Sequence, residues 1–275
     1  MTTVITAAAL VTAVAAALRS TWSPCGLSML STITPIGERG RGNRYRTTAA
    51  WFVVGSTLGG ATLGAATALV AAGVHALHLP AAAAGSIAAG TLAIAAVSDL
   101  GIAGIHLPGH HRQVNERWLD QFRSWVYGAG FGWQIGTGLA TYIMTAAVYA
   151  LVVLGALTAS PAAALMLCSL FGLVRGLCVL LGRHITSPGG LQEFHRRFTR
   201  LGPRARDGVV AADIACCAAI LGALWPPAAA ALGVTALAAA AAAGARSVAR
   251  RRAGTPPGDP HPARPEVSAG APAPR

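Results

Sequence analysis

Residues 4–35 read VITAAALVTAVAAALRSTWSPCGLSMLSTITP, and residues 36–46 that follow read IGERGRGNRYR. The first string is apolar almost throughout, and the second carries Arg39, Arg41, Arg44 and Arg46. An apolar run ended by a cluster of cations is the pattern of a helix that enters a bilayer and stops at its surface. At ~1.5 Å per residue the first string would make a straight helix of ~48 Å, against ~30 Å of hydrocarbon. One upright crossing cannot hold it, so a break is expected. Pro24 marks the place, because proline removes a backbone donor and clashes with the preceding turn. Cys25 then sits at the break, where irregular backbone within a membrane is tolerated only against protein or a wet cavity.

The rest of the chain repeats the same alternation. Of its 275 residues 54% are hydrophobic and 11% are charged, and mean hydropathy is +0.55. A soluble domain carries about 25% charged residues, so a soluble globule is excluded. Apolar blocks of crossing length fall at about 4–35, 47–73, 81–106, 128–157, 161–182, 208–225 and 228–245. The reading is therefore an all-α, polytopic bundle of about seven transmembrane helices over residues 1–250, with a disordered tail over 251–275 that is rich in Pro, Ala and charge. The opening Met-Thr-Thr supplies no basic residue ahead of the apolar run, so the first block reads as a retained helix and not as a signal peptide.

Net charge is +12, and all 21 basic residues are Arg. Nucleic acid is not the expected partner, because the arginines sit in short clusters between apolar blocks and form no single patch. Nineteen of them lie in residues 36–46, 107–127, 183–207 or beyond 245, which leaves only Arg19 and Arg175 inside helices. The intervening connections, near 74–80, 158–160 and Pro226-Pro227, contain none. Basic loops stay on the cytoplasmic side, which predicts a cell-membrane protein with its N-terminus outside and its C-terminus in the cytoplasm. The same parity requires 208–245 to cross twice, or to fold as a re-entrant hairpin, with the turn at Pro226-Pro227.

Two of the basic loops carry stripes at helical spacing: Val114, Trp118, Phe122 and Trp125, and Leu191, Phe194, Phe198 and Leu201. Both suit helices lying in the interface plane or connectors packed on helix ends. Gly60 with Gly64, and Gly172 with Gly176, have the spacing of small residues that lets membrane helices approach closely.

Ser23-Pro24-Cys25, followed by an apolar stretch, Pro35 and a basic loop, resembles the first helix of the CcdA and DsbD type of cytochrome c biogenesis and disulfide-reductase membrane proteins. The resemblance covers about residues 20–60. It implies two inverted three-helix repeats, each opening with a Pro-Cys helix, and thiols that carry reducing equivalents from a thioredoxin-like protein across the membrane. The fourth block departs from this pattern: Gly130-Phe131-Gly132-Trp133-Gln134-Ile135-Gly136-Thr137-Gly138 contains neither Pro nor Cys. Only Cys25 matches the family's cysteine, and by depth Cys216 and Cys217 are the substitutes for the missing partner.

Charges inside a membrane usually line a cavity or pathway. Asp99 and Arg175 each lie seven residues before the cytoplasmic end of their blocks, which makes them candidate partners, with Asp213 a rival acid. Arg19 is the cation nearest Cys25 along the chain. His75 and His78, and His106, His110 and His111, have no cysteine or carboxylate beside them at zinc-ligand spacing, so no metal is expected. No cofactor is expected either, since the chain has no haem-attachment motif and no phosphate-binding glycine motif followed by lysine. Two functions are consistent with these residues. One is thiol–disulfide transfer at Cys25. The other is a small-solute transporter or permease whose binding site lies at broken helices and uses Gln134 and Thr137, with Asp99 and Arg175 on the pathway. Whether the chain catalyses a reaction is left open by the sequence.

The arginine pattern makes the topology testable. In a cysteine-free variant in intact cells, Arg44→Cys, Arg117→Cys and Arg200→Cys should each resist an impermeant thiol reagent, whereas His78→Cys and Ala159→Cys should react. Labelling of Arg117→Cys from outside overturns the orientation.

Overall fold

The structure is a computed structural model that describes residues 1–101 and 118–225, together with Thr235 and Ala238. The predicted helix at 228–245, the tail over 251–275, and His106, His110, His111 and Val114 lie outside the described residues. Among the described residues every regular element is helical. They are α1 (Thr2–Ser20), α2 (Pro24–Thr32), α3 (Pro35–Gly40), α4 (Tyr45–Ala76), α5 (Ala81–Leu100), α6 (Trp118–Gln121), α7 (Ser124–Gly136), α8 (Ala147–Leu157), α9 (Pro161–Leu177), a 3₁₀ continuation (Cys178–His184) and α10 (Pro188–Leu224).

Four of these starts share one chemical device. Ser23, Thr34, Ser160 and Ser187 each stand immediately before a proline and accept a hydrogen bond through the side-chain oxygen from the amide three residues on. A hydroxyl cap satisfies an amide that the helix leaves open, and proline at the first helical position lacks only a donor that has no partner there. The expected break at Pro24 is therefore displaced. Proline opens α2, and the irregular residues are Thr21–Ser23.

Five helical stretches are long and apolar enough to cross a membrane: Thr2–Ser20, Tyr45–Ala76, Ala81–Leu100, Pro161–His184 and Pro188–Leu224. Their outward faces expose large apolar side chains, among them Leu58, Leu69, Ile94 and Met166, while Ser23, Ser56, Thr67, Arg175 and Asp213 are buried. Apolar outside and polar inside is the distribution that lipid favours, and it is compatible with an integral membrane protein.

Two predicted blocks take a different form. The block at 128–157 is two helices, α7 and α8, separated by residues 137–146. The block at 208–225 is the second half of α10, which begins at Pro188 and runs through Pro203. The stripe Leu191, Phe194, Phe198 and Leu201 thus belongs to a continuous 37-residue helix, and no separate surface helix forms. Its apolar side has a specific seat: Trp22 stacks on Phe198 at 4.4 Å and donates to its carbonyl oxygen at 2.8 Å, and Ser31 bonds His195 at 2.6 Å.

Two apolar cores organise the bundle. One joins α1, α5, α8 and α10 with parts of α4 and α9; the other gathers Cys25, Met29, Ile33, Phe52, Tyr127, Phe131, Ile135 and Val179. Helix α4 is the axle, packed along both α7 and α9. It approaches α9 so closely that a Cβ on Gly60 would overlap the Cys168 carbonyl oxygen and lie 2.9 Å from the Gly172 Cα. Ser56 closes the same seam by donating to the Gly172 carbonyl at 2.6 Å.

Gly60→Val should therefore force the axle apart, a change that overpacked cores resist at roughly 1–3 kcal/mol. Gly90 has open space around its Cβ position. Thermal unfolding followed by size-exclusion chromatography in detergent should show a marked drop for Gly60→Val and wild-type behaviour for Gly90→Ala.

Candidate functional site

Two breaks interrupt the helices, and the first of them borders a small cavity. The first is Thr21–Ser23, between α1 and α2. Its amides are satisfied locally: Thr21, Trp22 and Ser23 donate to Leu18, Arg19 and Ser20 at 3.1 Å each. Gly26 is needed here because a Cβ would strike the Thr21 carbonyl oxygen. The second break is residues 137–146, where Gly138 turns the chain at φ +72°. Its far end is held from another helix. Asp99, near the end of α5, accepts from the Thr145 hydroxyl and from the Ala146 amide at 2.7 Å. A carboxylate on bare amides at the start of α8 does the work of a helix cap.

Beside the first break lies a cavity of about 10 Å³, lined in part by Thr21, Gly26, Ile135, Arg175 and Cys178. That is about the space of one water molecule. Arg175 is 3% exposed, its guanidinium sits 5.8 Å from the Phe171 ring centre, and its Nε and Nη2 have no hydrogen-bond partner. The sulfurs of Cys25 and Cys178 both lie within electrostatic range of that guanidinium. Cys25 is the second residue of α2, so the positive end of this helix faces the same region.

Several residues singled out from the sequence fall elsewhere. Asp99 and Arg175 form no ion pair among the described residues. Equal depth along two helices does not set azimuth, and Asp99 points to the second break and senses Arg19 and Arg206 instead. Arg19 is buried and lies within electrostatic range of Asp99. None of the five cysteines, all of them among the described residues, is joined in a disulfide. Cys216 and Cys217 pack in the α1–α5–α10 core against the carbonyl oxygens of Ala8 and Ala89, whereas Cys25 belongs to the other core. Cys178 lines the same cavity as Gly26, the residue that follows Cys25. Gln134 is half-buried and the Thr137 hydroxyl donates back to Trp133, so Ile135 is the α7 residue that lines the cavity.

Glu38 is the buried charge that pattern reading passed over. It is the only acid in the first 98 residues and stands among four arginines, which was the available signal. Although it lies in an expected surface loop it is fully buried. It accepts from Thr48 at 2.6 Å, Tyr127 at 2.6 Å and Arg41 at 2.8 Å, while Arg41 also donates to the Thr32 carbonyl. Burial works against the Arg41 charge, and Glu38 more than offsets it, holding that guanidinium above its ordinary value. This network ties α3 to α4 and α7 beside the Cys25 core.

Compared with protein families, with curated proteins and with solved structures, the chain matches none.

Removing Glu38 leaves the Arg41 charge and two hydroxyls without their acceptor, a loss on the order of 3 kcal/mol for a buried pair. Glu38→Ala should lower the unfolding temperature far more than Glu193→Ala, whose partners Arg196 and Arg197 are exposed. Equal effects would remove Glu38 from its role as a fastener.

Proposed function

We propose that this chain is a multi-pass membrane protein, N-terminus outside and C-terminus in the cytoplasm, that performs thiol–disulfide transfer with Cys25 as the reacting thiol and Cys178 as its partner. The carrying observation is that both sulfurs lie within electrostatic range of one buried guanidinium that has no ion pair among the described residues. During exchange a sulfur bears negative charge, as attacking thiolate or as leaving group, and Arg175 is the cation that such a charge would meet. A lipid-facing cysteine in a regular helix would have no such neighbour.

The exchange balances as follows. In the oxidised form Cys25 and Cys178 are joined by a disulfide. A dithiol of the thioredoxin-like class attacks one sulfur and the bond between them breaks. The donor closes its own disulfide as its second thiol resolves the mixed disulfide. Two electrons and two protons have then moved from donor to Cys25 and Cys178.

The repeat architecture implied by the resemblance to CcdA and DsbD proteins belongs to the same proposal. In it α1–α5 and α7–α10 are inverted copies, each beginning with a broken helix. Support comes from the pairings of α4 with α9, α5 with α10 and α1 with α8, in which each element contacts its counterpart or its counterpart's neighbour. A second reading, carriage of a small solute, is favoured by one observation of its own: Asp99 fastens an unwound segment inside the bundle, and discontinuous helices are where transporters bind.

In membranes quenched rapidly with acid and then alkylated, a fraction of the protein should carry a Cys25–Cys178 disulfide. It should vanish in Cys25→Ser and in Cys178→Ser, persist in Cys216→Ser/Cys217→Ser, and accumulate when cytoplasmic thioredoxin is depleted. Cys25 remaining reduced under all these conditions overturns the proposal. Solute uptake lost in Gln134→Ala or Thr137→Val, with Cys25 always reduced, replaces it with carriage.

A further inference from the structure

Asp213 lies in the membrane-length part of α10, fully buried, and neither carboxylate oxygen has a hydrogen-bond partner. No ion pair among the described residues involves it. The other acids inside the bundle are treated differently: Glu38 accepts three hydrogen bonds and Asp99 accepts two. An unpaired carboxylate in an apolar interior costs several kcal/mol, and a bilayer supplies no water to lower that cost.

The surroundings follow from the helix register. The Cys216 thiol meets the Ala8 carbonyl, and Trp22 meets Phe198, so α1 and α10 run antiparallel. One turn from the first contact, Thr12 is fully buried, and its side chain lies by the Cys216 thiol. Elsewhere in the crossing helices threonines turn back on their own backbone: Thr6, Thr57, Thr62, Thr67 and Thr91 each donate to the carbonyl four residues earlier. Thr12 does not. The titratable and charged groups facing this interface are Asp99 from α5, Arg19 from α1, and Cys216 and Cys217 from α10 itself, with Arg206 and Asp207 at the inner end. None of the cations bonds Asp213.

We infer that Asp213 is a proton site, a carboxyl that binds and releases a proton inside the α1–α5–α10 interface. With its proton the group is neutral, and the cost of holding it in an apolar interior falls. Release leaves one carboxylate near a second, that of Asp99, which Asp213 senses electrostatically, so occupancy at one acid is linked to occupancy at the other. The inference rests on the bilayer placement alone and is independent of the chemistry at Cys25.

The full-length protein in liposomes of zwitterionic phospholipid is treated with dicyclohexylcarbodiimide, which attacks protonated carboxyls from the lipid phase, and the modified peptide is mapped by mass spectrometry. Asp213 should be labelled at low pH, the label should be lost at high pH, and it should be absent in Asp213→Asn. Infrared difference spectra should show a carboxylic-acid carbonyl band that shifts in deuterated buffer, disappears in Asp213→Asn and is displaced but retained in Asp213→Glu. Labelling that does not change with pH overturns the inference, because the acid would then be a fixed neutral group. Protection by sodium at constant pH also overturns it, in favour of a metal cation. Absence of the infrared band from the wild-type protein does so as well.

Discussion

A peptide group without a hydrogen-bond partner is too costly to leave in hydrocarbon, and most of this structure can be read as the consequence. Where the chain is regular, the helix satisfies its own backbone. Where it is not, a side chain supplies what is missing: Ser23 accepts from the Gly26 amide at the first break, and Asp99 accepts from Ala146 at the second. The two solutions differ in reach. Ser23 acts on its own helix, whereas Asp99 crosses from α5, so the second break exists only in the assembled bundle.

The same constraint governs how closely the helices approach. Lipid tails are as apolar as leucine, so packing cannot draw on a large difference between solvent and interior. The α4–α9 seam relies instead on backbone proximity at Gly60 and Gly172 and on the Ser56 hydroxyl donating across it. A rigid axle of this kind holds Arg175, one turn beyond Gly172 on α9, at a fixed place relative to α2 and α7. The first break then borders a cavity lined by this guanidinium, which forms no salt bridge among the described residues.

Buried charge divides the molecule into fastened and open parts. Glu38 is saturated with donors from α3, α4 and α7, and its chemistry is to hold. Arg175 keeps unpaired N–H groups and Asp213 keeps unpaired oxygens. One open group is a cation beside two thiols and the other is an acid between α1, α5 and α10, in separate cores.

Apolar block length and the placement of arginine were sufficient to read an all-helical, membrane-type chain, because both are one-dimensional quantities. The stretch from Tyr45 to Ala76 and that from Ala81 to Leu100 fall close to their expected bounds for this reason. The Ser/Thr-Pro pairs at 23–24, 34–35, 160–161 and 187–188 open helices by a signal that acts within four residues, and the pattern of apolar blocks passed over it. Partnership was not legible in the sequence. Asp99 and Arg175 share a depth but point to different neighbours, Cys178 and not Cys216 or Cys217 shares Arg175 with Cys25, and the block 128–157 conceals a ten-residue interruption with no proline to betray it. Each of these depends on which face a helix turns toward which neighbour. That is set by close contacts between residues far apart in the chain, such as Gly60 with Gly172, and only the folded bundle brings them together.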